Sequence, residues 1–306
     1  MLEPTPTASL PLEPHEGIAA VAVADAREGA HLVTDSIRRT IVRVALPAVA
    51  SSLLMTLFSS VDAFWVGTRI GASGLAAVST SLFWIWMIIS LAEMVGVGLT
   101  AVAARRHGEG REREASRLAG DSLVFSLVLG IVVAVAGLAW LDQLFAVMHT
   151  PADVTMLGHT YLSTYLVGTP LIYGFFAIDA TFRAAGDTKT PFVLLLSSVA
   201  ITLFLDPVLM LGIGPFPRLG IEGAAIATVG TRGVAFFLGT AIAARRGLLH
   251  VGRIRAESVR AVARVGMPTA LTGVAFSVIY VVLTRTTTRF GTPALAALGI
   301  GHRVES

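Results

Sequence analysis

The chain has 306 residues, 54% hydrophobic and only 14% charged, with a formal net charge of +3, seven histidines and no cysteine. A soluble domain carries about 25% charged residues, so this composition, with a mean hydropathy of +0.76, excludes an ordinary soluble enzyme and indicates a polytopic membrane protein. The missing cysteines exclude disulfides, thiolate metal sites and cysteine nucleophiles.

Residues 1–38 open with "MLEPTPTASLPLEPHEG", Pro-rich and acidic, and read as a disordered cytoplasmic tail. The run "GIAAVAVADA" at 17–26 has the length of a signal-peptide core. Glu13 and Glu16 stand where Lys or Arg is required, so the first apolar span is expected to serve as the insertion signal instead. Apolar stretches long enough to cross about 30 Å of hydrocarbon follow near 41–67, 75–104, 118–141, 155–182, 191–212, 221–244 and 265–288, with an eighth beginning near 293.

Charge alternates between the intervening segments. Arg38, Arg39 and Arg43 precede the first span. Arg105, Arg106, Arg111, Arg113 and Arg117 follow the second, Arg183 and Lys189 the fourth, and Arg245, Arg246, Arg253, Arg255, Arg260 and Arg264 the sixth. The segments after the first, third and fifth spans hold Arg69, none and Arg218. The positive-inside rule then predicts a cytoplasmic N-terminus in the cell membrane. It also assigns the basic residues to the inner bilayer surface rather than to nucleic acid.

An internal repeat divides the chain. "RVALPAV" (43–49) returns as "RVGMPTA" (264–270), and "RIGASGLAAV" (69–78) returns as "RFGTPALAAL" (289–298), at offsets of 221 and 220. Both copies enter the membrane from one side, the parallel-repeat arrangement of many transporters. The expected organisation is a six-helix transmembrane lobe at 39–248, an amphipathic connector on the inner membrane surface at 249–263, and the start of a second lobe at 264–306. A second copy as long as the first predicts about 460 residues and roughly twelve spans. The chain is therefore expected to be part of a longer protein.

Two acids stand inside spans. Asp62 lies in "LLMTLFSSVDAFWVG" and Asp206 in "SSVAITLFLDPVLMLG", five and six residues before Gly67 and Gly212. At about 1.5 Å per residue both sit roughly 8 Å below the outer ends of their helices. Each has a hydroxyl on its own face, Thr202 at i−4 from Asp206 and Ser59 at i−3 from Asp62. Pro207 has no N–H, so the carbonyl of Leu203 loses its helical partner beside the acid. A charge at the centre of a span costs about 2.5–3.5 kcal/mol, which makes such acids functional candidates.

Other charges read as structural. Glu93 and Arg232 each lie roughly 18–20 Å from the inner ends of their spans, a shared depth that permits an ion pair. Asp179 and Arg183 are spaced for an i,i+4 pair. "GDTKTP" (186–191) predicts a helix stop at Gly186, a cap from Thr188 or Thr190 and Pro191 in the next first turn. "RRHGEGRERE" follows a helix and lacks a Lys-Ser/Thr ending, so it is no phosphate loop. The histidines, His149 and His159 included, lack metal-ligand spacing. The aromatics of "LFWIWMI" (82–88) suit either a pocket for flat cations or helix packing.

Over residues 40–306 the combination of "LPAVASSLLMTLFSSVDAFWVGTRIGASGLAAVS", "FRAAGDTKTP", "LDPVLMLG" and "LGIEGAAIAT" resembles the multidrug and toxic compound extrusion (MATE) family, in particular its DinF-like branch. The resemblance implies an all-α fold of two six-helix lobes. The implied activity is a monomeric antiporter exporting organic, often cationic, small molecules against inward Na⁺ or H⁺, with no cofactor beyond that ion. It makes Asp62 and Asp206 the coupling carboxylates and adds Thr228 of "GAAIAT" near the same site. Thr202 stands where the family often has Asn; a Na⁺ would be held by Asp62, Asp206 and Thr202. A lipid-linked saccharide flippase of the same superfamily is the nearest alternative; it usually needs a cationic cavity, whereas two acids occupy this half of the lobe. A chain without its second lobe could instead be an inactive fragment. An intramembrane enzyme would need HExxH, GxSxG or paired Asp-rich motifs, and the sequence has none.

Overall fold

A computed structural model describes residues 49, 53, 56 and 60–305. The tail at 1–38, Ser59 and most of the run at 41–67 lie outside the described residues. Residues 60–69 are helical (α1). They are followed by α2 (Ala72–Gly108), α3 (Glu112–Ala139), α4 (Leu141–Met148), α5 (Ala152–Ala184), α6 (Lys189–Leu211), α7 (Ile221–Arg245), α8 (Ala256–Thr287), a 3₁₀ turn (Thr288–Phe290) and α9 (Thr292–Glu305). Among the described residues there is no strand. Six helices among the described residues are long and apolar enough to cross a bilayer: α2, α3, α5, α6, α7 and the helix running from Ala256 to Phe290. They occupy the second to seventh of the spans read from the sequence. The fold is an all-α polytopic one.

The helix α5 is the axis of the bundle. Its buried residues run from Val154 to Ala184, and it packs against α2, α3 and α7. Two hydrogen bonds fix its rotation. Tyr173 donates its hydroxyl to the carbonyl of Ile88 in α2 at 2.5 Å, and Ser126 of α3 donates to the carbonyl of Tyr173 at 2.8 Å. The outer face of α3 carries Val128, Ile131, Val132, Val135 and Leu138, all exposed at i, i+3, i+4 spacing. In a bilayer this stripe meets acyl chains, so its exposure carries no cost.

A second packing surface joins α2 to α8 and α9, and it depends on missing side chains. A Cβ placed on Gly98 would lie 2.0 Å from the carbonyl oxygen of Val262, and one on Gly266 would lie 1.8 Å from that of Met94. Further along, Gly273 meets the Ser90 hydroxyl and Gly299 meets that of Ser79. Residues 90, 94 and 98 share one face of α2, so α8 runs antiparallel to it at backbone contact, as small residues allow in membranes.

The repeat is visible in the backbone. Gly71, between α1 and α2, has φ 90°, and Gly291, between α8 and α9, has φ 86°. The matched glycines, 220 positions apart, make the same left-handed turn. Gly71 has φ 90° with ψ −165°, a region essentially confined to glycine, and open space where a Cβ would stand, so Gly71→Ala is expected to destabilise through the backbone alone, by about 1–3 kcal/mol. Thermal unfolding in detergent measures this, and Gly71→Asn should lose about as much, because Asn tolerates φ > 0 only with the αL value of ψ and Gly71 has ψ −165°.

Two details differ from the sequence reading. Neither Thr188 nor Thr190 caps α6. The Asp187 carboxylate does so, accepting from the backbone N–H groups of Lys189 at 3.0 Å and Thr190 at 2.9 Å, and it also pairs with Arg246 at 2.6 Å. A residue just outside the helix reaches those donors with a side chain one bond longer than that of Thr. Partial burial alone would raise the Asp187 carboxyl, but the Thr190 hydrogen bonds and Arg246 outweigh it and hold the group below the usual carboxylate range. The stabilisation is therefore complete above that range and is lost as pH falls through the lowered value. Asp187→Ala is expected to cost about 0.5–2 kcal/mol at neutral pH and to flatten the acid limb of the stability–pH curve.

The segment read as a connector at 249–263 is divided. Residues 249–255 are not helical, whereas 256–263 are the first turns of α8, unbroken through Pro268. Between the third and fourth spans the short helix α4 forms at Leu141–Met148; its end is held by Thr288, which donates to the carbonyl of Met148 at 3.1 Å.

Candidate functional site around the α6 carboxylate

In α6, Ser198, Thr202 and Asp206 recur at four-residue spacing, and all three are buried, Asp206 at 2% exposure. They form one polar stripe on a helix whose lipid side carries Ile201 and Phe204. The stripe faces α7. Thr202 donates to the carbonyl of Ser198 at 2.8 Å, and its Oγ1 lies 2.7 Å from Oγ1 of Thr231. Thr231 is also bonded to the carbonyls of Ala227 at 2.9 Å and Thr228 at 3.2 Å. Thr228 thus joins this network through its backbone oxygen, and Thr231 is the α7 hydroxyl that meets α6.

Among the described residues, Oδ1 of Asp206 has no hydrogen-bond partner. A buried carboxylate oxygen without a partner is costly, so the site has capacity for one more donor or a cation. Pro207 lies inside the helix directly after it, which leaves the Leu203 carbonyl without its helical N–H. Asp62, half-buried in α1, is the charged group whose field reaches Asp206. The two acids singled out in the sequence therefore belong to one neighbourhood. Ser198 and Thr231 were not singled out, although the 198, 202, 206 spacing was legible.

The deeper charges form a second neighbourhood. Asp179 and Arg183 are ion-paired within α5. Asp179 also feels the field of Arg232, and Glu93 that of Arg183. The Arg232 guanidinium lies 5.2 Å from the centre of the Phe175 ring. Asp179 and Arg183 are thus a pair in direct contact here, with Glu93 and Arg232 as charged neighbours.

The aromatic stretch of α2 packs against the repeat. Phe83 stacks on Tyr280 at 4.9 Å, and His302 of α9 sits among Phe83, Trp86, Phe276 and Tyr280 at 4.5–6.0 Å between ring centres. Among the described residues no group of three or more metal-ligating side chains occurs.

The chain is similar to known proteins in sequence and fold. The MatE family profile matches residues 47–208. The chain is 30% identical to the FAD transporter of Shewanella oneidensis over 280 residues, covering 90% of this chain and 62% of that protein. It is 28% identical to the probable multidrug resistance protein YoeA of Bacillus subtilis, covering 89% of this chain and 60% of that one. Its fold matches that of the MATE multidrug transporter DinF-BH with a TM-score of 0.80 at 23% identity, covering 88% of this chain and 61% of the other. The chain thus spans about 60% of the length of these relatives. With a family profile over more than half of its residues and the family's helical fold, the chain belongs to the MATE family of multi-pass membrane transporters, which are not enzymes.

Proposed function

We propose that the protein is the ion-binding part of an antiporter that exports organic cations or amphipathic compounds from the cell in exchange for Na⁺ or H⁺. The observation that carries this reading is Asp206: a carboxylate at 2% exposure inside an apolar span, with Oδ1 unpartnered among the described residues. Two carboxylates in one apolar neighbourhood resist holding two negative charges together. One proton or one Na⁺ occupies the pair, with Thr202 and the freed Leu203 carbonyl as further oxygen donors and Thr231 and Thr228 supporting them from α7. A cationic substrate that reaches the same acids displaces the ion, and this competition couples the two fluxes. The basic ends of the helices lie in the cytoplasm with the N-terminus, by the positive-inside rule. Glu93, Arg232, Asp179 and Arg183 hold the inner half of the lobe together. Residues 39–248 form that lobe, and 264–306 begin its repeat.

The names of the relatives support two cargo classes. YoeA is a probable multidrug resistance protein, in line with a lipophilic cargo. The Shewanella oneidensis relative is an FAD transporter, which favours a second reading with an anionic flavin cargo. Counterflow in proteoliposomes separates them. With an imposed Na⁺ or H⁺ gradient, uptake of a fluorescent lipophilic cation is expected and FAD uptake is not; FAD uptake alone would replace the first reading with the second. Glu93→Gln is expected to reduce folded yield while the folded fraction keeps ion-driven transport.

A further inference from the structure

The segment between α7 and α8 builds a cavity that the transport reading does not use. It has a volume of about 250 Å³ and is lined by Arg117, Asp121, His250, Gly252, Arg253 and Arg255. Its walls are fixed. The backbone N–H of His250 donates to the carbonyl of Ser116 at 3.0 Å. A Cβ on Gly120 would lie 2.0 Å from the His250 carbonyl oxygen, so the segment crosses α3 at backbone contact. Asp121, 4% exposed in its side chain, accepts from Arg255 Nε at 3.0 Å and holds that guanidinium in the wall.

One acid is thus matched by Arg255. Arg117 and Arg253 remain exposed at the cavity, and among the described residues neither is in an ion pair. Two guanidiniums beside a fixed third suit a phosphate, which they can engage with paired N–H donors. The volume is below the roughly 300–1,000 Å³ of pockets for drug-sized ligands and is on the scale of a headgroup. Val251 and Ile254, which flank Arg253, are 58% and 46% exposed. Apolar side chains interleaved with arginines at the basic ends of membrane-spanning helices belong at the headgroup–acyl boundary.

We propose that this cavity binds a phosphate ester, with the phosphate of an anionic phospholipid headgroup as its source. Arg117 and Arg253 contact the phosphate, Asp121 positions Arg255, and Val251 and Ile254 enter the acyl region beside the bound lipid. The site ties the α7–α8 segment to the bilayer surface next to the start of α8 at Ala256.

Native mass spectrometry of the purified chain in detergent tests this with three probes: phosphatidylglycerol, phosphatidylcholine and soluble glycerol 3-phosphate. The chain is expected to retain phosphatidylglycerol in preference to phosphatidylcholine. Arg117→Gln with Arg253→Gln is expected to weaken that binding about twenty-five-fold, at about fivefold for each arginine near a charged surface. The charge-matched variant Arg113→Gln with Arg245→Gln, outside the cavity, should bind as the wild type does. Val251→Ser with Ile254→Ser should weaken phosphatidylglycerol but leave glycerol 3-phosphate unchanged. Equal binding of glycerol 3-phosphate and phosphatidylglycerol by both the wild type and this Ser variant would overturn the lipid source while keeping the phosphate site. Equal losses in the two charge variants, or none in either, would overturn the site itself.

Discussion

Asp206→Asn is expected to abolish ion-driven export while leaving the protein as stable as the wild type or more so. A charge within a span costs about 2.5–3.5 kcal/mol, and the neutral amide removes that cost while keeping shape and hydrogen-bonding capacity. A carboxylate kept only for packing would give the opposite pattern, with lower stability and intact transport. Because Asp206 is 2% exposed and its Oδ1 has no partner among the described residues, the substitution breaks no direct bond to a described residue. Gradient-driven uptake in proteoliposomes should fall to the level of protein-free vesicles. Asp62→Asn should act in the same direction. Melting in detergent, recorded on the same preparations, separates lost coupling from lost fold.

Among the described glycines, Gly266→Ala is expected to be the most damaging change to Ala that meets a backbone atom. The new Cβ would stand 1.8 Å from the Met94 carbonyl oxygen and 2.9 Å from Met94 Cα, against about 3.3 Å for a close C–H···O contact. The obstructing atoms are backbone, so α2 and α8 must separate by on the order of 1 Å, which also loosens the neighbouring contact at Gly98. Overpacking of this kind costs about 1–3 kcal/mol, a fall in melting temperature of roughly 1.5–5 °C for a chain of this size. Gly230→Ala is the control. That glycine lies within α7 with nothing within 4 Å of its Cβ position, so helix propensity alone should make the change neutral or stabilising by about 1 kcal/mol. Equal melting temperatures for the two variants would contradict the close approach.

The sequence made some of this legible and hid the rest for physical reasons. Asp62 and Asp206 stand out because charge is expensive in an apolar run, and the spans follow from length and hydropathy. The repeat was readable at Gly71 and Gly291 because that turn requires a backbone conformation glycine supplies readily. Partners across helices were not readable. Thr231 differs from Thr228 only by which face of α7 meets α6. Tyr173 reaches Ile88 through a rotation that only the packed bundle fixes. Glu93 and Arg232 matched in depth, but depth says nothing of azimuth, and a direct ion pair of this region, Asp179 with Arg183, lies within α5. Asp187 took the cap because its carboxylate also answers Arg246, 59 residues away.

The account stands on ion binding by Asp62 and Asp206, and ion release on substrate addition measures it most directly. The purified protein, equilibrated in weak buffer with Na⁺, is titrated with a lipophilic cation while free Na⁺ and pH are recorded. The wild type should release about one ion per chain, proton or Na⁺, as competition for a shared site requires. Asp62→Asn with Asp206→Asn should release none. Unchanged release from that double variant would contradict the account.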